Sequence, residues 1–122
     1  MDGKMEKVNN KYIIEYKIEK KLIPIYNHQK SFYNKAWIIQ YYNKDNIIIK
    51  YQLVSYNTIM IEWDASGINK DCIKFNKYYY NYSNTTLKHV KEFIKQYNHL
   101  FLQYEKLYKK EYITKKDILS YI

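Results

Sequence analysis

The hydrophobic period of the chain changes once, at Tyr82. Before it, apolar residues come in short alternating or continuous runs broken by turn residues. After it, they fall at three- and four-residue steps. A period of two suits a pleated strand and a period near 3.6 suits a helix, so no single element can span the junction. The order is strands, then helix, which predicts an α+β fold.

In the strand half, "KYIIEYKIEK" sets Tyr12, Ile14, Tyr16 and Ile18 on one side and Glu15, Lys17 and Glu19 on the other. That alternation predicts a half-buried strand. "KLIPIY" either extends it or opens an irregular connection, because Pro24 cannot donate to a central ladder. Ala36–Tyr42, Ile47–Tyr56, Thr58–Asp64 and Cys72–Tyr82 read as further strands, with "NKDN" and "ASGINKD" as turn and loop. Asn57 marks either a tight turn or a bulge in one bent strand. No helix interleaves these runs, so the expectation is an antiparallel meander of four or five strands.

In the helical half, Leu87, Val90, Ile94, Tyr97, Phe101, Tyr104 and Tyr108 form a stripe that Phe93, Leu100 and Leu107 widen. It predicts one long amphipathic helix over about residues 85–109, packed on the sheet. Thr114 followed by Asp117 resembles a capping box and predicts a short helix over about 115–121. The length predicts a single domain over 1–122, with residues 1–10 polar and frayed and the strands within 11–82.

Charge bears on partners. The net charge is +9, and all 21 basic residues are Lys. Lys can neutralise phosphate but lacks the planar fork that reads guanine. Contact with nucleic acid would therefore run through backbone phosphates and stacking. The single Cys72 and the three histidines, His28, His89 and His99, lack metal-ligand spacing, so neither metal nor cofactor is expected. Glu62, Asp64 and Asp71 bracket a loop and could hold a divalent ion, but acids so placed are more often solvated. The N-terminus has no signal-type apolar region, and no run approaches the ~20 apolar residues of a membrane span. A soluble intracellular protein is expected.

The junction itself, "YYYNYSNTTLKHVKEF" (Tyr78–Phe93), concentrates the candidate chemistry. Ser83, Asn84 and Thr85 are all competent helix N-caps. Thr85, Thr86, His89 and Glu92 share one helix face, a row that could orient an imidazole or hold an anion at the helix start. The plainer reading, caps plus a histidine bonded to the adjoining strand, outweighs it. A hydroxyl nucleophile at Thr85 activated by His89 needs an oxyanion hole and an orienting partner, and neither is evident. Tyr78, Tyr79, Tyr80 and Tyr82 must point to both faces of a strand. Tyr78 and Tyr80, with Lys77, Lys88, Lys91 and Lys95, make the candidate binding surface for single-stranded nucleic acid or for a protein. Equally, the tyrosines replace Leu and Phe in the core of a protein from an A/T-rich genome.

"SYNTIMIE" (Ser55–Glu62) and, about twenty residues on, "YSNTTLKHVKEF" (Tyr82–Phe93) resemble a paired pattern of small phage and mobile-element proteins of unassigned function. The matching positions are Ser55, Tyr56 and Thr58, then Tyr82, Ser83, Thr85, Thr86, His89 and Phe93, with "SFYNKA" (Ser31–Ala36) a weaker third match. The resemblance covers roughly residues 31–98 and implies a phage or prophage protein acting in the host cytoplasm. Antagonists of host defence, anti-CRISPR proteins among them, are a prominent class of such proteins. It implies a non-enzymatic binder that blocks a host defence complex, such as a Cas effector or its nucleic-acid channel. The positive charge argues against a mimic of DNA. The alternative is a phage accessory protein for single-stranded nucleic acid, and the third reading a small hydrolase or nuclease using His89. If Ser55, Tyr56 and Thr58 lie beside the helix start, the motif residues form a buried polar network that defines the fold.

Overall fold

The computed structural model describes residues 11–67, 72–76, 83–110 and 112–120. Five strands follow in chain order: β1 (Tyr16–Lys21), β2 (Ala36–Tyr42), β3 (Ile48–Ser55), β4 (Thr58–Asp64) and β5 (Ile73–Phe75). They form one antiparallel sheet in the order β1-β2-β3-β4-β5, the meander expected of short strands joined by tight connections. β2 and β4 keep their sequence-predicted limits. β5 is only three residues long, and residues 77–82 of the predicted last strand, including Lys77, Tyr78, Tyr80 and Tyr82, lie outside the described residues.

Turn chemistry sets the register. Tyr56 and Asn57, at φ of 49° and 66°, make a two-residue left-handed turn between β3 and β4 that closes the Ser55–Thr58 pair. Such turns match the twist of the flanking strands and favour Asn at positive φ. Asn57 thus marks a tight turn, and the irregularity lies in β4, where the extra residue Met60 sits opposite the step from Leu53 to Val54. Tyr33 and Asn34 repeat the device before β2, at φ of 52° and 61°. Asn43 is buried at the "NKDN" turn, where its side-chain oxygen accepts from the backbone N–H groups of Asp45 and Ile47.

The helical half departs from expectation. α1 spans Asn84–Gln96 and stops at Tyr97, whose φ of −108° and ψ of 36° leave the helical range. A 3-10 segment (Asn98–Tyr104), itself kinked at Phe101, leads into α2 (Glu105–Tyr108), and α3 covers Lys115–Leu119. There is no single helix over 85–109. One would run about 37 Å, whereas β3, the longest strand among the described residues, runs about 26 Å. The breaks fold the surplus length back over the sheet. Val90, Phe93, Ile94 and Phe101 all reach zero exposure, so the apolar stripe is core although the backbone beneath it changes. Steps of three and four residues suit both an α-helix and a 3-10 turn, so the stripe alone could not show the break. The Thr114–Asp117 capping box forms as its spacing predicts.

β1 is the second departure. Every residue in it is exposed, on both faces, rather than half-buried. It lies at the sheet edge, where the Tyr16 ring stacks on Tyr42 at 4.8 Å between ring centres and its hydroxyl donates to the Asn46 side-chain oxygen at 2.8 Å.

Candidate functional site

The structure gathers part of the sequence pattern around His89. Ser83 is the N-cap that the sequence left open among three candidates: its side-chain oxygen accepts from the Thr86 N–H at 3.1 Å. One turn on, His89 Nδ1 lies 2.8 Å from Ser55 Oγ at the end of β3, and the Ser55 hydroxyl donates to Thr86 Oγ1 at 3.2 Å. A hydroxyl donating to Thr86 leaves the Ser55 oxygen to accept from a protonated Nδ1. Nε2 is then a bare acceptor, buried with no hydrogen-bond partner among the described residues. The two Tyr-Asn turns wall this imidazole. Phe32, just before the first, meets it edge-on at 4.6 Å, and Tyr56 of the second lies 5.8 Å away. The Tyr56 N–H donates to the Lys35 carbonyl, tying the turns together.

Burial dominates the electrostatics of this cluster. His89 is fully buried and Ser55 nearly so. Desolvation, with a smaller push from the Lys88 charge, lowers the His89 pKa to about 4, so the ring is neutral at neutral pH. Of the remaining motif residues, Phe93 is core, Thr58 closes the hairpin, and Thr85 faces solvent. Ser55 and His89 have the separation of a nucleophile and its base, but both are closed off from solvent.

Glu92 does not join this row. It is buried, and its carboxylate accepts from three successive backbone N–H groups, those of Ile25, Tyr26 and Asn27, at 2.8–3.2 Å. The Gln96 amide donates to the same carboxylate at 2.7 Å and to the Ile23 carbonyl at 2.6 Å. The segment after Pro24 has no ladder to join, and a helix carboxylate supplies its acceptors instead. Pro24 left open whether the strand continues or an irregular connection begins; the fold shows the connection, with Glu92 accepting from its N–H groups.

The clamp forms one wall of an open cleft of about 290 Å3. Lys88, Lys91 and Lys95 of α1 line it, facing Tyr26, Asn27 and His28 on one side and Tyr112 and Ile113 on the other. Lys95 is anchored, its Nζ donating to the carbonyls of Tyr108 and Lys110. Among the described residues, no acid lies within ion-pairing distance of Lys88 or Lys91. Three of the six residues picked from sequence as a binding surface thus share one cleft. The aromatic partners beside them are Tyr26 and Tyr112, both exposed, which sequence spacing could not bring near α1.

Glu62 and Asp64 line a second cavity of about 350 Å3 together with Ser66, Gly67, Cys72 and Lys74. Lys50 sits 3.9 Å and 3.7 Å from the two carboxylates. Burial raises the Asp64 pKa, but hydrogen bonds from Ser66 and the nearby charges of Lys50 and Lys74 outweigh it and leave the group lowered. Among the described residues, no three His, Cys, Asp or Glu side chains cluster as metal ligands, and Asp71 lies outside them.

These features define a small basic α+β protein: a five-stranded antiparallel meander, helices over one face, and a lysine-lined cleft beside the first helix. The chain belongs to DUF8033, a family of unknown function whose model matches residues 20–118. That span includes both halves of the Ser55–Thr58 and Tyr82–Phe93 pattern. No curated protein and no solved structure matches the chain significantly. Among the described residues, no helix is long and apolar enough to cross a membrane.

Proposed function

We propose that this protein is a non-enzymatic binder whose cleft takes the phosphate backbone of single-stranded nucleic acid. The observation that carries the reading is the row Lys88, Lys91 and Lys95, spread over about 10 Å of helix and flanked by the exposed rings of Tyr26 and Tyr112. Lysines neutralise successive phosphates while aromatic faces accept bases without regard to sequence. The phage-like pattern supports a narrower form of the proposal: the strand is the guide or target nucleic acid of a host defence complex such as a Cas effector, and binding blocks that complex. A hydrolase built on His89 has less support, because the imidazole and the hydroxyl it meets are both buried.

Anisotropy of a labelled single-stranded oligonucleotide tests the cleft. Log K is expected to fall with log salt at a slope of about −2, near −0.7 for each of three lysines. Lys91→Ala should flatten the slope by about 0.7. Absence of binding at low salt, or a slope untouched by the three lysines, refutes the reading. Affinity capture from host lysate, with phage protection as the readout, tests the narrower form.

A further inference from the structure

We infer that β1 is a self-complementary edge and that the protein pairs with a second copy of itself through it. β1 ends the sheet, and among the described residues no strand lies beyond it. Both of its faces are exposed, and Tyr16 and Ile18 remain 39% and 45% accessible. A long exposed edge carrying apolar side chains is a template for another strand.

The direction of the free backbone groups follows from the β1–β2 register. The Leu22 N–H donates to the Ala36 carbonyl, continuing the ladder in which Tyr16 pairs with Tyr42 and Ile18 with Gln40. In an antiparallel ladder bonding residues alternate, so the even-numbered residues of β1 bond to β2. The N–H and C=O groups of Lys17, Glu19 and Lys21 therefore point away from the sheet, at the open edge.

Consider an antiparallel partner related by a two-fold axis through Ile18. Lys17 then lies opposite Glu19 of the other copy, and Glu19 opposite its Lys17, each as a hydrogen-bonded pair with opposite charges. Ile18 meets Ile18 at the axis as the close, non-hydrogen-bonded pair, and Tyr16 faces Lys20. Lys17 and Glu19 already share one face, with an ion pair of 3.3 Å within the strand. Pairing turns it into an alternating square of four charges. Directly opposed opposite charges stabilise a sheet, and like charges oppose it.

The neighbouring registers fail. A slip of two residues one way sets Lys17 against Lys17. The other way sets Glu19 against Glu19 and Lys17 against Lys21. Lysines on an edge usually discourage pairing; here they permit one register and reject its neighbours. That self-complementarity points to a second copy of this chain as the occupant, and the sheet then runs unbroken through both copies.

Sedimentation equilibrium and backbone hydrogen exchange test this at physiological ionic strength. The expected mass is twice the chain mass of 15.2 kDa. The Lys17 and Glu19 amides should exchange more slowly as chain concentration rises. Lys17→Glu and Glu19→Lys each create like-charge pairs and should give monomers, whereas the double exchange restores opposite charges and should restore the dimer. Both side chains are half-exposed, so these variants leave the core untouched. Three results overturn the inference: a monomer at chain concentrations up to about 1 mM, a dimer indifferent to the single reversals, or a folded double variant that stays monomeric.

Discussion

The buried imidazole should make stability depend on pH between about 6.5 and about 4. Burial holds the folded His89 pKa at about 4, against 6.5 for the exposed residue. The unfolded chain therefore binds a proton that the native protein refuses. The His89 contribution is fully present above pH 6.5, is lost as pH falls toward the folded value of about 4, and changes no further below it. The whole shift corresponds to about 3 kcal/mol at 1.36 kcal/mol per unit, of which about 2 kcal/mol is gone by pH 5. Asp64 and Asp117 act lower: their folded pKa values lie below the usual 3.8, so their stabilisation is lost mainly below pH 5. Urea unfolding of the wild type at pH 7 and pH 5 should show the loss, and His89→Leu, weaker at pH 7, should lack most of it. If the wild type is equally stable at both pH values, or if the Leu variant loses as much, the ring is not the neutral, desolvated group described here.

Glu92→Gln keeps the shape of the clamp but replaces a charged acceptor with an amide; it should cost about 1–3 kcal/mol and speed hydrogen exchange at Ile25, Tyr26 and Asn27. Asn57→Val forces a branched side chain into a left-handed turn and should cost about 1–2 kcal/mol, whereas Asn57→Gly should be neutral or stabilising by thermal melt. Thr114→Ala removes the α3 cap and should cost about 1 kcal/mol. The Lys110 side chain and the Thr114 backbone and hydroxyl hold the Asp117 pKa at about 2, so the support it lends is lost as pH falls from about 3.8 through 2. Carbon NMR of the Asp117 carboxyl checks that midpoint.

The legible part of this protein was local. The change of period at Tyr82 separates sheet from helix because strand and helix place successive side chains differently. The "TIMIEWD" strand and the Thr114 box depend on near neighbours in sequence, so short-range stereochemistry sets them, whereas the cap was narrowed only to Ser83, Asn84 or Thr85. The Tyr-Asn turns are local too: their positive φ angles fall on a residue type that tolerates them and on the Tyr before it.

What tertiary structure decided is what depends on distance in sequence. Ser55 and His89 are 34 residues apart, and Glu92 reaches back 65–67 residues to its loop. No periodicity states which side of a helix meets which end of a sheet. Helix length was decided the same way: the apolar stripe runs past the sheet, and the chain breaks at Tyr97 to keep it buried. The alternation of β1 was visible in the sequence, but its exposure was not, because a half-apolar strand is half-buried only when another element covers it. The sequence determined which residues can form strands, turns and caps. The packed sheet and helices determined which hydroxyl meets the imidazole, which lysines share a cleft and which edge remains open, because each of these brings together residues that only the folded chain makes neighbours.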